Sequence, residues 1–430
     1  MYKKKLIFIE LNEINFDLVR IYVSKYNLRN LNHLIENLKI TESEDKYELL
    51  EPWIQWYSIR TGKKANDHKI FRLGDAESSN IPQIYEKIES LGYKVGAISP
   101  MNSKNNCKQP TYFIPDPWTN TKPDTSYLSR MIDRVLKQTV NENAKNRISF
   151  TSYISLAGIM MLYINIKNIP LYLKYFLSSF NFKWRKALFL DLLIHDVHLK
   201  LFKKNKPNFS SIFFNAGAHI QHHYLFNSIL SNKNLRNPEN LISSSDDPFK
   251  EAIFLYDKII GDYLKLKNCN LIVATGLTQE INERAEYYYR LSYHKNFLKK
   301  LKVKFKNVYP RMSRDFLIEF DSNYGVNEAY LNLSSIKIKD KKLFGILEKR
   351  EKSLFVSLTY EDEIMNTDFI SINGSKIQIK KEVNFVAIKN GKHSSKGFCF
   401  FKGNFRNIKK LNNPFNITTL HDLVLDYFEA

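Results

Sequence analysis

Lys5-Leu6-Ile7-Phe8-Ile9-Glu10-Leu11 sets the architecture of this chain. Five of its seven residues are large and apolar, with no alternation of polar and apolar positions. A run of that length and character predicts a strand covered on both faces, which is what a parallel sheet provides. Ser210-Ser211-Ile212-Phe213-Phe214 and Asn270-Leu271-Ile272-Val273-Ala274-Thr275 read the same way, and Gly92-Tyr93-Lys94-Val95-Gly96-Ala97-Ile98-Ser99 reads as a turn feeding a short strand. Apolar residues at helical spacing predict helices over 16–26, 31–38, 81–91 and 249–266. Strands alternating with helices predict an α/β fold with a mostly parallel sheet. Chemistry in such sheets gathers at the carboxyl ends of the strands, where Glu10, the segment 215–223 and Thr275 fall.

The sheet-forming runs divide the chain into core segments 1–121, 207–281 and 386–430. Residues 122–206 form a helical insertion rich in Leu, Ile, Phe and Lys, and 282–385 a smaller α+β cap with β-like runs at 356–359, 369–372 and 376–379. No internal repeat and no Gly-rich phosphate loop is present.

Apolar content of 43% and charged content of 25% over 430 residues fit a soluble globular protein with a large core. The net charge of +21 attracts phosphate, sulfate, acidic glycans, nucleic acid or an anionic membrane surface. A composition rich in Lys, Asn and Ile and poor in Gly, Pro and Ala explains that charge equally well, so charge alone selects no partner. No recognisable nucleic-acid module is present, so nucleic acid is not the expected partner. Cys107, Cys269 and Cys399 form no CxxC pair, against a disulfide framework or a thiolate metal site. The basic start carries only four apolar residues before Glu10, too few for a signal peptide, and a cytoplasmic location is expected. Residues 148–166 contain no charge, near the minimum for a span. Their Ser, Thr, Gly and Asn content favours a buried or surface-docking helix, with peripheral contact at the inner membrane face open.

Three of the ten histidines, His219, His222 and His223, lie within five positions. On a helix, His219 and His223 share a face at i, i+4. A third histidine from a distant loop, such as His393 in Gly391-Lys392-His393-Ser394-Ser395-Lys396-Gly397, would complete a catalytic metal set with one open position.

In this order the segments resemble the alkaline phosphatase superfamily, in its type I phosphodiesterase/nucleotide pyrophosphatase-like branch. Ile7-Phe8-Ile9-Glu10 resembles the family's first strand and its acidic metal ligand, with Glu for the usual Asp. Glu51-Pro52-Trp53-Ile54-Gln55-Trp56-Tyr57-Ser58-Ile59-Arg60-Thr61-Gly62 and Asp67-His68-Lys69-Ile70 resemble the nucleophile helix and the His-Gly-Ile after it. His219-Ile220-Gln221-His222-His223 is similar to the Asp-x-x-x-His pair, with His219 in the Asp place. Ala274-Thr275-Gly276-Leu277 stands where the family has Ser-Asp-His-Gly, without its ligands. His393 resembles the last metal-binding His, and Asn416-Ile417-Thr418-Thr419-Leu420-His421-Asp422-Leu423-Val424-Leu425 the terminal helix.

The resemblance implies a three-layer α/β sandwich and a metal-dependent phosphodiesterase- or phosphatase-like hydrolase or transferase. Its substrate would be an anionic, nucleotide- or glycan-linked phosphate ester. It places Zn²⁺ on His219, His223 and His393, and leaves Glu10, with Glu51 or Asn12, as a weaker site for Mg²⁺ or Mn²⁺. The nucleophilic Ser/Thr falls on Pro52, so Glu51 becomes a candidate ligand or general base and water attack is expected. Asn215, His222, Trp53, Arg290, Arg311 and Arg314 are candidate substrate contacts, near Tyr287, Tyr288 and Tyr289. Trp56 reads as packing beneath the helix and His68 as structural. The competing reading is a catalytically degenerate member that binds an anionic ligand or partner.

Overall fold

Leu6–Leu11 forms the central strand β1, buried at every residue. Its side chains alternate between two cores. Leu6 and Phe8 pack among Trp56, Ile59 and Leu420, whereas Ile7, Ile9 and Leu11 pack among Phe214, Ile253 and Val273. Both faces are therefore covered, as the unbroken apolar run requires. The structure is a computed structural model that describes residues 4–44, 46–141, 150–232, 234–239, 241–310, 314–372 and 375–429.

From β1 the chain runs through α1 (Phe16–Tyr26) and α2 (Arg29–Ile35) to strand β2 (Lys39–Glu42). Next come α3 (Pro52–Thr61), the single turn α4 (Ala65–His68), α5 (Ile84–Ser90), β3 (Val95–Ile98) and β4 (Tyr112–Ile114). Helices α6 (Tyr127–Asn141), α7 (Phe150–Tyr163), α8 (Ile169–Ser178) and α9 (Arg185–Asn205) precede β5 (Phe209–Phe214). Then follow α10 (Ala216–Tyr224), α11 (Pro248–Leu264) and β6 (Asn270–Ala274).

The eight-stranded sheet has the order Phe415–Asn416, β2, Lys396–Lys402, β6, β1, β5, β3, β4. Every neighbouring pair from β6 to β4 is parallel. Lys396–Lys402 runs antiparallel to both β2 and β6. Residues of α1, α2, α9, α10 and α11 share the core on one face, and residues of α3, α5 and the closing helix Thr419–Glu429 share the core on the other. The result is the α/β three-layer arrangement with a mostly parallel sheet.

The chain separates into two compact units, residues 1–281 with 391–430, and residues 282–390. The helices α6 to α9 belong to the first unit, and α9 buries Leu188, Leu192 and Val197 in its main core. The second unit has its own core around Phe297, Phe316, Leu333 and Phe344. Its four-stranded antiparallel sheet has the order Phe344–Arg350, Ser353–Leu358, Asp315–Glu319, Asn307–Pro310.

Candidate metal centre

Beyond Leu11 the chain turns over the carboxyl edge of the sheet. Asn12 N–H donates to Phe214 O (3.0 Å) at the end of β5, and Glu13 N–H donates to Thr275 O (3.1 Å) just past β6. This places Glu13 at φ 60°, a left-handed conformation costing about 1–2 kcal/mol in a residue with a Cβ. Its carbonyl is held by Gln221 Nε2 (2.8 Å) and Gln279 N–H (3.2 Å). The carbonyl clamp fixes where the Glu13 carboxylate points.

That carboxylate is 2% exposed. Its Oε2 lies 3.0 Å from His222 Nε2 on α10 and 3.1 Å from His393 Nε2, and it also accepts from Gln279 Nε2. Oε1 accepts from Asn12 Nδ2 at 2.9 Å. Asn12 is held in turn: Trp56 Nε1 donates to its Oδ1 (2.8 Å), and its Nδ2 also donates to Asn215 Oδ1 (2.9 Å). Burial works against the Glu13 charge, but His222 and His393 outweigh it and hold the carboxyl below the usual carboxylate range.

Three nitrogens converge on one carboxylate oxygen that has two in-plane lone pairs. Tetrahedral zinc, with ligands at about 2.0–2.1 Å, separates its donor atoms by roughly 3.3–3.4 Å. An outward shift of a few tenths of an ångström from the observed 3.0 and 3.1 Å would admit an ion between Glu13, His222 and His393. Ligation through Nε2 moves each imidazole proton to Nδ1, and His393 Nδ1 faces Glu51 Oε2 at 3.8 Å. A carboxylate behind a ligating histidine fixes its tautomer and orientation. The residues fit a metal, and a donor set of one carboxylate oxygen and two imidazole nitrogens suits Zn²⁺.

The position of α10 follows from its N-terminus. Asp191 on α9 accepts from Asn215 N–H (3.2 Å), Ala216 N–H (2.9 Å) and Tyr256 Oη (2.8 Å). Burial raises the Asp191 carboxyl to about 7. Gly391 allows the strand bearing His393 to approach, because a Cβ there would lie 2.1 Å from Gln279 Oε1 and 3.0 Å from Gln221 O.

The histidine set thus differs from the one implied by the sequence. His222 and His393 meet at Glu13, whereas His219 and His223 pair with each other on the helix, ring centroids 4.9 Å apart. The face of α10 turned toward Glu13 is the one carrying the buried Ala218 and Gln221, and His222 adjoins it. Burial lowers His219 to about 4 and His223 well below its ordinary value, so both are neutral imidazoles.

Glu10 lies apart from this cluster. Strand parity places it with Leu6 and Phe8 beneath the sheet, fully buried, where Arg60 of α3 donates to Oε2. Arg60, also fully buried, donates to Met101 O as well. The Glu10 carboxylate thus has a guanidinium as counter-charge on Oε2, while its Oε1 has no hydrogen-bond partner. Glu51 sits half-exposed before α3, with Pro52 as the first helical residue.

Trp53 donates its indole N–H to Phe71 O (3.1 Å). His68 accepts from Ile70 N–H at Nδ1 (3.0 Å), so its proton is on Nε2, facing Ser58 Oγ at 2.9 Å. It cannot serve Ser58 as a base and is structural. Arg290 and Arg314 belong to the second unit, Arg314 lying over the Tyr288 ring at 4.5 Å; Arg311 lies outside the described residues. Glu13, Gln221, Gln279 and Arg60 were not singled out from sequence. An acid three positions past a strand-end acid was the available signal for Glu13.

No protein-family model matches the chain, and no curated protein matches it by sequence. Among solved structures, it is similar to a phosphonoacetate hydrolase from Sinorhizobium meliloti at 10% identity, covering 99% of this chain and 96% of that one with a TM-score of 0.43. It is similar to murine ectonucleotide pyrophosphatase / phosphodiesterase 5 at 13% identity, covering 99% and 95% with a TM-score of 0.45. It is also similar to the alkaline phosphatase of the Antarctic bacterium TAB5 at 11% identity, covering 100% and 99% with a TM-score of 0.40.

Proposed function

We propose that the chain is a metal-dependent enzyme acting on phosphate esters through one metal site, built by Glu13, His222 and His393. The observation that carries this reading is the convergence of three nitrogen donors on Oε2 of the buried Glu13 at the carboxyl edge of the sheet. A zinc ion held there would polarise a phosphoryl oxygen and lower the pKa of water to about 7.

The chain's own groups do the remaining work. Asn12, tethered by Trp56, keeps Glu13 Oε1 occupied so that Oε2 faces the imidazoles. Glu51 is a positioning residue whose carboxylate, 3.8 Å from His393 Nδ1, favours a proton there electrostatically. Pro52 at the head of α3 offers no hydroxyl, so the attacking oxygen comes from water rather than from a phospho-enzyme. The substrate class is an anionic nucleotide- or glycan-linked phosphate ester, consistent with a chain of net charge +21.

The buried Glu10–Arg60 pair favours a second reading, in which the fold binds an anionic ligand without turnover. One experiment separates the two. Zinc content and hydrolysis of bis(p-nitrophenyl) phosphate and p-nitrophenyl phosphate are measured for wild type, His222→Ala and His393→Ala. The enzyme reading expects about one zinc per chain, with turnover of an ester that both substitutions abolish. A metal-free wild type, or turnover that survives both substitutions, sinks it. A zinc-loaded chain inert toward both esters supports the binding reading.

A further inference from the structure

Nine of the twenty-five large apolar side chains exposed among the described residues fall within residues 154–180. They are arranged by helix. On α7, Ile154, Ala157, Met161 and Leu162 are exposed, while Ser152 and Ile159 are buried. On α8 and the turn after it, Ile169, Leu173, Phe176, Leu177 and Phe180 are exposed, while Tyr172 and Tyr175 are buried. These outward positions follow i, i+3/4, i+7/8, the stripe that a soluble helix turns inward. Met161 is 82% exposed, Ile166 between the helices 79% and Phe180 76%.

The two helices are fixed rather than trailing. They bend by 118° at the break between them. Asp196 on α9 holds that bend, accepting from Asn165 N–H (2.8 Å), Asn168 Nδ2 (2.7 Å) and Tyr172 Oη (3.0 Å). Among the described residues no single helix is long and apolar enough to cross a membrane. Ten residues of α8 extend only about 15 Å, half of a hydrocarbon core of about 30 Å.

The charge around the stripes has one sign. Residues 150–190 contain five Lys or Arg and no Asp or Glu. Arg185 pairs with Glu251, and Lys174 lies 3.7 Å from the same carboxylate. Lys167, Lys183 and Lys186 are exposed beside the apolar positions. Apolar side chains that would enter the acyl boundary, rimmed by lysines, are the signature of a helix lying in an interface. We infer that α7 and α8 dock this protein on an anionic lipid bilayer, with Met161, Leu162, Phe176, Leu177 and Phe180 entering the surface.

The test uses the full chain and sedimentation with vesicles of phosphatidylcholine alone or with about a third phosphatidylglycerol. Wild type is expected to bind the anionic vesicles, with partition weakening as salt rises. Met161→Glu with Phe176→Glu and Leu177→Glu should abolish it. Lys167→Gln, Lys183→Gln and Lys186→Gln should each weaken partition by roughly fivefold. Hydrogen exchange of wild type needs no variant, and exchange across 154–180 should slow with anionic vesicles. No binding by wild type, or stripe variants that bind equally, overturns the inference. So does a wild-type dimer that Phe176→Glu makes monomeric, which assigns the stripes to a second copy. Zinc content is unaffected in every arm, so this result is independent of the catalytic reading.

Discussion

Glu13→Gln separates the metal reading from a purely structural role for the cluster. The substitution keeps shape and removes the charge. Its new NH₂ cannot sit at the Oε1 position without facing Asn12 Nδ2, a donor, at 2.9 Å. At the Oε2 position it can donate to both His222 and His393, whose neutral rings turn their lone pairs toward it, while Gln279 Nε2 loses its acceptor there. One unsatisfied buried donor costs about 1–3 kcal/mol, so the metal-free variant should remain folded and be less stable by that amount. The effect on zinc should be far larger. Loss of a group that merely orients a ligand already weakens metal affinity about 10–100-fold, and Glu13 is the anionic ligand itself. Urea unfolding with EDTA or with zinc at about 100 times its Kd should show stabilisation of about 2.7 kcal/mol in wild type, and almost none in the variant. Equal zinc stabilisation in both proteins would refute the assignment.

Four further outcomes are expected. Glu51→Gln should weaken zinc binding about 10–100-fold without displacing it, since it acts through His393 Nδ1; unchanged affinity by competition titration removes Glu51 from the site. Gly391→Ala should cost about 1–3 kcal/mol in urea unfolding, because the added Cβ meets Gln279 Oε1 and the Gln221 carbonyl; a loss below about 0.5 kcal/mol shows that the strand can move. Arg60→Leu should cost about 3–5 kcal/mol by leaving Glu10 buried without a partner, and Glu10→Leu added to it should recover much of that loss. Additive losses would disprove the pairing. His68 has a native value lowered to about 4 by burial against 6.5 unfolded. The unfolded state therefore binds more protons between those values, and stability falls as pH drops from about 6.5 to 4, by about 3 kcal/mol in all. His68→Gln should flatten that part of the urea-unfolding profile, and a profile identical to wild type argues against a buried neutral imidazole.

The sheet was legible because its strands must satisfy two faces at once. β1, β5 and β6 are apolar runs for that reason, and α1 falls at 16–26 where periodicity alone places it. The strands Ser353–Leu358 and Phe369–Ile372 also lie where β-like runs occur. The site was harder to read because sequence spacing identifies faces of a helix without saying which face meets the loop. His219 and His223 do share a face, but Ala216, Ala218, Ile220 and Gln221 pack inward, and their packing swings His222 toward Glu13. The placing of Glu10 follows a related rule. Strand parity, readable from Leu6 and Phe8, already assigns it to the α3 side of the sheet, while Glu13 lies beyond the strand and escapes parity altogether.

The two buried carboxylates differ in the kind of counter-charge the chain gives them. Glu10 has Arg60, a cation that keeps its proton at any ordinary pH, and the two meet in the core with Glu10 Oε1 and Arg60 Nε left without hydrogen-bond partners. Glu13 has two imidazoles, Gln279 and Asn12, and among the described residues no Lys or Arg within salt-bridge distance. Imidazoles compensate a carboxylate only while protonated, and they hold a metal only when they are not. At a pH where both rings are neutral, each can still donate its Nε2–H to Glu13, but the protein alone leaves a buried anion with no cation beside it. That arrangement is unfavourable by itself and becomes favourable with a divalent cation between the three donors. The same fold that gives Glu10 a permanent guanidinium has left Glu13 dependent on a partner that can come and go. Zinc binding should accordingly release protons and tighten as pH rises from about 5 to 8. Isothermal titration in buffers of different ionisation enthalpy counts those protons, and a release of none would mean that the neutral-ligand site already exists without metal.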